Sequence, residues 1–194
     1  MLNFKSGEKK KGLCGCGELE DGFKVFDEFS QLGCEPNVRT FATLMHGLCE
    51  KGDLDGAFGL LERMENCGVG ADIVVFNVLI SGLRKQGRVD EAKVLERLMM
   101  EKGCDPNGGS YQEVAYGLLD NERFEEAKEI MERMVLMGFG PSFVSYKVLV
   151  KGMCERGVIG EVDWAVRQMM KQRFVPKMGM WKQISCIFCL ALKY

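Results

Sequence analysis

The chain has 194 residues, 46% hydrophobic and 28% charged, with 26 Lys and Arg against 28 Asp and Glu and a formal net charge of −2 at pH 7. That balance describes a folded chain long enough to bury a core, and it excludes the strong basic field that grips any polyanion. No apolar run approaches the roughly 20 residues of a membrane span, and the single histidine, His46, leaves almost no material for a His-based metal site or a Ser-His-Asp relay.

The opening, Met1-Leu2-Asn3-Phe4-Lys5, lacks the apolar stretch of a secretory signal. Residues 1–11 carry Lys5, Lys9, Lys10 and Lys11 but no Arg, so no organelle transit peptide is visible. Either the chain is cytosolic or its true start lies upstream. The nine cysteines are odd in number and follow no disulfide framework; reduced thiols in an intracellular compartment are expected. The segment 1–11 does not read as a helix and is taken as a degenerate N-terminal segment.

From there a period of 35 residues organises the chain. Phe41, Phe76, Tyr111, Tyr146 and Trp181 are spaced by 35, as are Gly47, Gly82, Gly117 and Gly152. Ala57, Ala92 and Ala127 keep the same step, and so do Met64, Met99, Met134 and Met169. Pro36, Pro106, Pro141 and Pro176 hold one phase, with Ala71 in the remaining place. A fixed period of this length predicts an all-α solenoid of stacked helix-turn-helix units. Residues 12–37 form a partial repeat, in which Gly12, Leu13 and Cys14 match Gly47, Leu48 and Cys49. Four full repeats follow, 38–72, 73–107, 108–142 and 143–177, and 178–194 opens a partial C-terminal repeat or cap with Met180-Trp181.

Repeat 73–107 shows the local logic. Phe76, Leu79, Ile80 and Leu83 fall at i, i+3, i+4 and i+7, one face of a first helix, with Gly87 at its C-cap. Ala92, Leu95 and Met99 form a second stripe, with Val94 and Leu98 beside it, ended by Gly103 and Pro106. Asn37, Asp72, Asn107 and Ser142 precede successive first helices and are good N-cap types.

Several residues have a structural reading. Cys14, Cys49 and Cys154 share one repeat position and read as packing residues; the phased methionines read as core. His46, four residues before Glu50, reads as a surface or structural histidine. Cys14-Gly-Cys16 and Cys186-Ile-Phe-Cys189 supply four thiols, but at opposite ends of a stacked array, so no metal site is expected. Glu125, Glu126, Glu129 and Glu132 read as the solvated face of a second helix. Net charge alternates along the repeats, −3, +1, −4 and +4, and Arg84, Lys85, Lys147 and Lys151 give the later first helices a modest basic bias. The apolar run from Ile184 to Leu192 suits a cover for the last repeat or a partner contact.

The 35-residue period, the run from Asp72 to Ala92 (DIVVFNVLISGLRKQGRVDEA), the run Leu44-Met-His-Gly-Leu-Cys-Glu-Lys-Gly-Asp-Leu54 and the closing Glu101-Lys-Gly-Cys-Asp-Pro-Asn107 resemble pentatricopeptide repeats, clearly over 38–181 and weakly over 12–37. The tetratricopeptide pattern has a period of 34 and an early Trp-Leu-Gly, which are missing. The uniform spacing is similar to the P class of the family. The resemblance implies a right-handed superhelical solenoid that binds single-stranded RNA, about one base per repeat. It implies base selection by the fifth residue of the first helix together with the last residue of the repeat, hence Ala42 with Asp72, Asn77 with Asn107, Gln112 with Ser142 and Lys147 with Lys177. The pair Asn77 and Asn107 resembles a pyrimidine reader, and Asp72 points to G or U. The second residue, here Arg39, Val74, Gly109 or Val144, packs on the base; Val74 and Val144 suit that role. An amide can donate and accept, while Lys supplies charge to phosphate with little base selectivity.

The expected function is RNA binding in a mitochondrion or other organelle, supporting processing, stability or translation of a transcript, within a larger assembly such as the organelle ribosome. Organelle localisation comes from the resemblance alone. The alternative is a protein-interaction scaffold. No catalytic residue, cofactor or membrane association is expected, because the glycines recur with the repeat and no acid–base pair or nucleophile relay emerges.

Overall fold

First helices begin at 38, 73, 108 and 143 and second helices at 54, 89, 124 and 159, both series in steps of 35. The computed structural model describes residues 36–175 together with 22–24, 26, 28, 178, 179, 182 and 185. Lys177, Pro176, Trp181, the two paired-cysteine motifs and most of the apolar run after Ile184 lie outside the described residues. Within them there are helices and no strands: α1 Val38–Lys51, α2 Leu54–Asn66, α3 Ile73–Lys85, α4 Val89–Glu101, α5 Gly108–Asp120, α6 Phe124–Leu136, α7 Phe143–Glu155 and α8 Ile159–Lys171. No helix among the described residues is long and apolar enough to cross a membrane.

The chain divides into two compact units, one ending at Pro106 and one beginning at Asn107. In the first, α1 packs on α2 and α3, and α3 also packs on α4 and touches α2. In the second, α5 packs on α6, α7 packs on α8, and α7 also lies against α5 and α6. The phased residues make the cores. Phe41, Phe76, Tyr111 and Tyr146 are buried, as are Ala57, Ala92 and Ala127 and the methionines at 64, 99, 134 and 169. Each large apolar side chain so buried contributes about 1.5–3 kcal/mol. Burial pushes the Tyr146 hydroxyl up to about 12 and the Cys49 thiol up to about 11, so both stay neutral near pH 7. Val94, beside the second stripe of α4 and one residue off the Ala92, Leu95, Met99 row, is largely in solvent.

Two phased glycines set how closely neighbouring repeats approach. A Cβ on Gly82 would stand 2.6 Å from Cys49 Sγ and 3.0 Å from Leu54 Cδ2. A Cβ on Gly152 would meet the Phe124 ring closer still. In each case a first helix lies against the start of the preceding second helix with no room for a methyl group.

The turns between paired helices need a left-handed residue. Gly52, Gly87 and Gly157 supply it at φ 81°, 72° and 72°. Gly87 stands one residue beyond the expected cap, because Gln86 is the C-cap; Gly87 N donates to Arg84 O and Arg88 N to Leu83 O. The corresponding residue of the third repeat is Glu122 at φ 56°, and Arg173 at φ 61° stands where Gly68, Gly103 and Gly138 stand after earlier second helices. An L side chain in this region costs about 1–2 kcal/mol, partly offset because glycine loses more freedom on folding. Arg173→Gly is therefore expected to stabilise the chain by about 1 kcal/mol in urea melts. Glu122→Gly should gain less, since it also removes the exposed ion pair with Arg156 at 3.4 Å. No gain at Arg173 would mean the turn relaxes at no cost.

Second helices start differently from first helices. Asp53 caps α2 through Gly56 N at 2.9 Å. At the matching places of α4 and α6 stand Arg88 and Arg123, which grip Glu91 and Glu126 through paired N–H···O bonds of 2.6–2.7 Å. The forks hold the glutamates in the first turn, where the helix dipole favours negative charge.

Candidate functional site

Each first helix is opened by a side-chain cap. Asn37 Oδ1 accepts from Thr40 N, and Asp72 Oδ1 accepts from Val74 N and Val75 N, all at 3.0 Å. Asn107 Oδ1 accepts from Gly109 N at 2.9 Å and Ser110 N at 3.0 Å, while Asn107 N donates to Ser110 Oγ at 3.2 Å, closing a capping box. Ser142 Oγ accepts from Ser145 N at 3.1 Å. The residues that close the repeats are thus fixed at the heads of helices, with an oxygen already committed to the backbone.

Behind each cap, the second residue of the repeat faces solvent. Arg39, Val74, Gly109 and Val144 are all exposed, Val74 at 52% and Val144 at 54%. One turn on, Val148 adds to the exposed apolar surface of α7. The fifth residues behave unequally. Ala42 is only 6% exposed and carries no polar group, so it packs within the first unit and has no hydrogen bond to offer a base edge. Asn77 is half-buried in α3, and Lys147 is exposed on α7 and joins no ion pair among the described residues.

Gln112 is half-buried and tied to the next repeat. Its Oε1 accepts from Ser142 N at 2.9 Å and its Nε2 donates to Ser145 Oγ at 2.6 Å. Ser142 Oγ also lies 3.0 Å from the Tyr116 hydroxyl. The structure therefore brings Gln112 and Ser142 together. Ala42 and Asp72 share the first unit, Asn77 and Asn107 belong to different units, and only Lys147 of the last pair is described.

The basic bias of the first helices is partly spent on neighbours. Lys85 pairs with Glu50 of the preceding repeat, holding that carboxyl below its ordinary range, and Lys151 lies 3.8 Å from Glu155. His46 is exposed beside Glu50 at 3.6 Å, as a surface histidine would be. Among the described residues no cluster of His, Cys, Asp and Glu could hold a metal ion. The serines at the third position, Ser110 and Ser145, were not singled out by pattern, although both are fully buried and both hydrogen-bond a candidate reader. Their spacing of 35 was the available signal.

Capped first helices, each with an exposed and variable second residue and repeated every 35 positions, define a helical-repeat protein. Models of the PPR repeat match residues 32–65, and also 11–34 and 114–139, and a model of the PPR repeat family matches 71–113. The chain belongs to the pentatricopeptide repeat family. No curated protein sequence matches it. Among solved structures it is similar to the pentatricopeptide repeat protein PPR10 from maize, with 21% identity and a TM-score of 0.78 over 92% of this chain and 26% of that one. PPR10 in complex with an 18-nt psaJ RNA element gives 21% identity and a TM-score of 0.69, over 97% and 28%. The PPR domain of Arabidopsis thaliana protein-only RNase P 1, in complex with tRNA, gives 15% and 0.77, over 93% of this chain and 95% of that one. The chain thus spans about a quarter of the maize protein. At these identities the likeness shows the fold alone, an α-solenoid of paired helices.

Proposed function

We propose that the chain binds single-stranded RNA as a short P-class array, acting in an organelle to support processing, stability or translation of a transcript. The observation that carries this reading is the pair Val74 and Val144. Two β-branched apolar side chains stand about half in water in the first turns of first helices, in repeat phase. An apolar ledge of that kind can hold the plane of a base without choosing it, and the neighbouring amide of Asn77 can then select. The module is a binder and not an enzyme, since its phased polar residues are accounted for by caps and its phased glycines by turns and close approach. With about one base per repeat, such an array has only a few selective contacts, each worth about 1–3 kcal/mol. It therefore works inside a larger assembly, such as the mitochondrial ribosome, which supplies further affinity.

The test is selection from a randomised single-stranded RNA pool at low and near-physiological salt, beside Asn77→Ala. Enrichment of a pyrimidine that the variant loses, with affinity down about tenfold, is expected. Absence of retained RNA even at low salt would overturn the reading. It would favour a protein-interaction scaffold, whose supporting observation is Leu136, 85% exposed at the end of α6 with Met137 beside it.

A further inference from the structure

We infer that the repeat 108–142 selects no base, because its two selecting positions, Gln112 and Ser142, are closed on each other as a polar latch between α5 and the head of α7. The inference rests on the RNA-binding reading and narrows it. Three separate observations carry it. Both ends of the Gln112 amide are engaged, Oε1 by Ser142 N at 2.9 Å and Nε2 by Ser145 Oγ at 2.6 Å. The Ser142 hydroxyl is engaged as well, accepting from Ser145 N at 3.1 Å and bonded to the Tyr116 hydroxyl at 3.0 Å. The place of the base-packing valine is taken by Gly109, which offers no side chain to hold a base plane.

The cost of opening the latch explains why RNA does not do so. A base edge can reach the amide only by displacing Ser142 N and Ser145 Oγ. Ser145 is fully buried, so its hydroxyl would lose the Gln112 donor where water does not replace it and keep only its 3.1 Å bond to Ser142 Oγ. The base would also have to settle over Gly109 without apolar contact, in the repeat with the most negative net charge, −4. Repeats 73–107 and 143–177 present an exposed valine at the same place. The bound RNA then has one position without preference, contributed by this repeat.

The experiment compares wild type and Gln112→Ala in RNA selection, and measures melting for Gln112→Ala, Ser145→Ala and the double variant. For Gln112→Ala we expect the same consensus, affinity within about twofold, and melting lowered by about 4 °C, on the scale set by the loss of one or two neutral hydrogen bonds. The two melting losses should be less than additive, as for groups sharing one network. A base preference that changes at one position in Gln112→Ala would overturn the inference, and additive melting losses would overturn the latch. Wild type that retains no RNA would defeat the RNA-binding reading and the silent position with it. The melting cycle needs no RNA and separates that failure from failure of the latch.

Discussion

Gly152→Ala is expected to destabilise the chain by about 2 kcal/mol, although Gly→Ala inside a helix ordinarily gains about 1 kcal/mol. The reversal of sign comes from the neighbour. Gly152 lies within α7, and a methyl group there would overlap Cζ, Cε1 and Cε2 of Phe124. Phe124 is buried at the start of α6, and its ring is also covered by the Arg156 guanidinium 4.7 Å from the centroid. Turning the ring out of the way disturbs that contact, and moving α7 opens the core around Tyr146 and Leu149. Gly59 is the internal comparison. It lies in α2, is exposed, and a Cβ there meets nothing within 4 Å. Gly59→Ala should therefore gain about 0.5–1 kcal/mol. Urea melts of both variants decide the matter. Phe124→Leu, which places at this position the residue type of Leu54 in the first repeat, should restore part of the loss in Gly152→Ala. A neutral or stabilising Gly152→Ala would mean that α7 sits further from α6 than described.

The period of 35 makes the helices, the caps Asn37, Asp72, Asn107 and Ser142, and the buried Phe, Tyr and Met rows legible in the sequence. Periodicity reports which face of a helix turns inward, and those features depend on little else. It does not report what a side chain meets across a repeat boundary. Gln112 reads as a ligand contact in the pattern and proves to be bonded to Ser142 and Ser145, because its amide is long enough to reach the next first turn. Ala42 holds a reader's place and is buried, because a methyl group there projects too little to leave the packing surface. The Arg88–Glu91 and Arg123–Glu126 forks do not show in the pattern, since Arg has no acceptor and is not an N-cap type, and only the distances reveal that the guanidinium holds a glutamate in the first turn without capping it. Val94 shows how narrow the inward face is: one residue from Leu95, beside the stripe, it is already 59% exposed.

Val74→Asp with Val144→Asp is expected to lower RNA affinity by roughly 100-fold while leaving the fold intact or slightly firmer. The two effects part because of where these residues stand. Each is the second residue of its helix, after Ile73 in α3 and after Phe143 in α7; neither first turn holds an acidic residue, but α3 is already capped by the Asp72 carboxylate, so the dipole gain falls mainly to Val144→Asp. A carboxylate there meets the positive end of the helix dipole, worth about 0.3–1 kcal/mol in favour of folding. Both valines are about half exposed, so each change gives up only about half of a valine's packing. Toward RNA the same change removes the apolar ledge and sets two negative charges beside phosphate. Val94→Asp, on α4 and at least as exposed, is the control for a general charge effect and should leave RNA affinity within about twofold. Filter retention at two salt concentrations, with melting of each variant alongside, separates the contributions. Affinity that survives the double change in a well-folded protein would move the RNA away from the first helices, because no base could then be resting on Val74 or Val144.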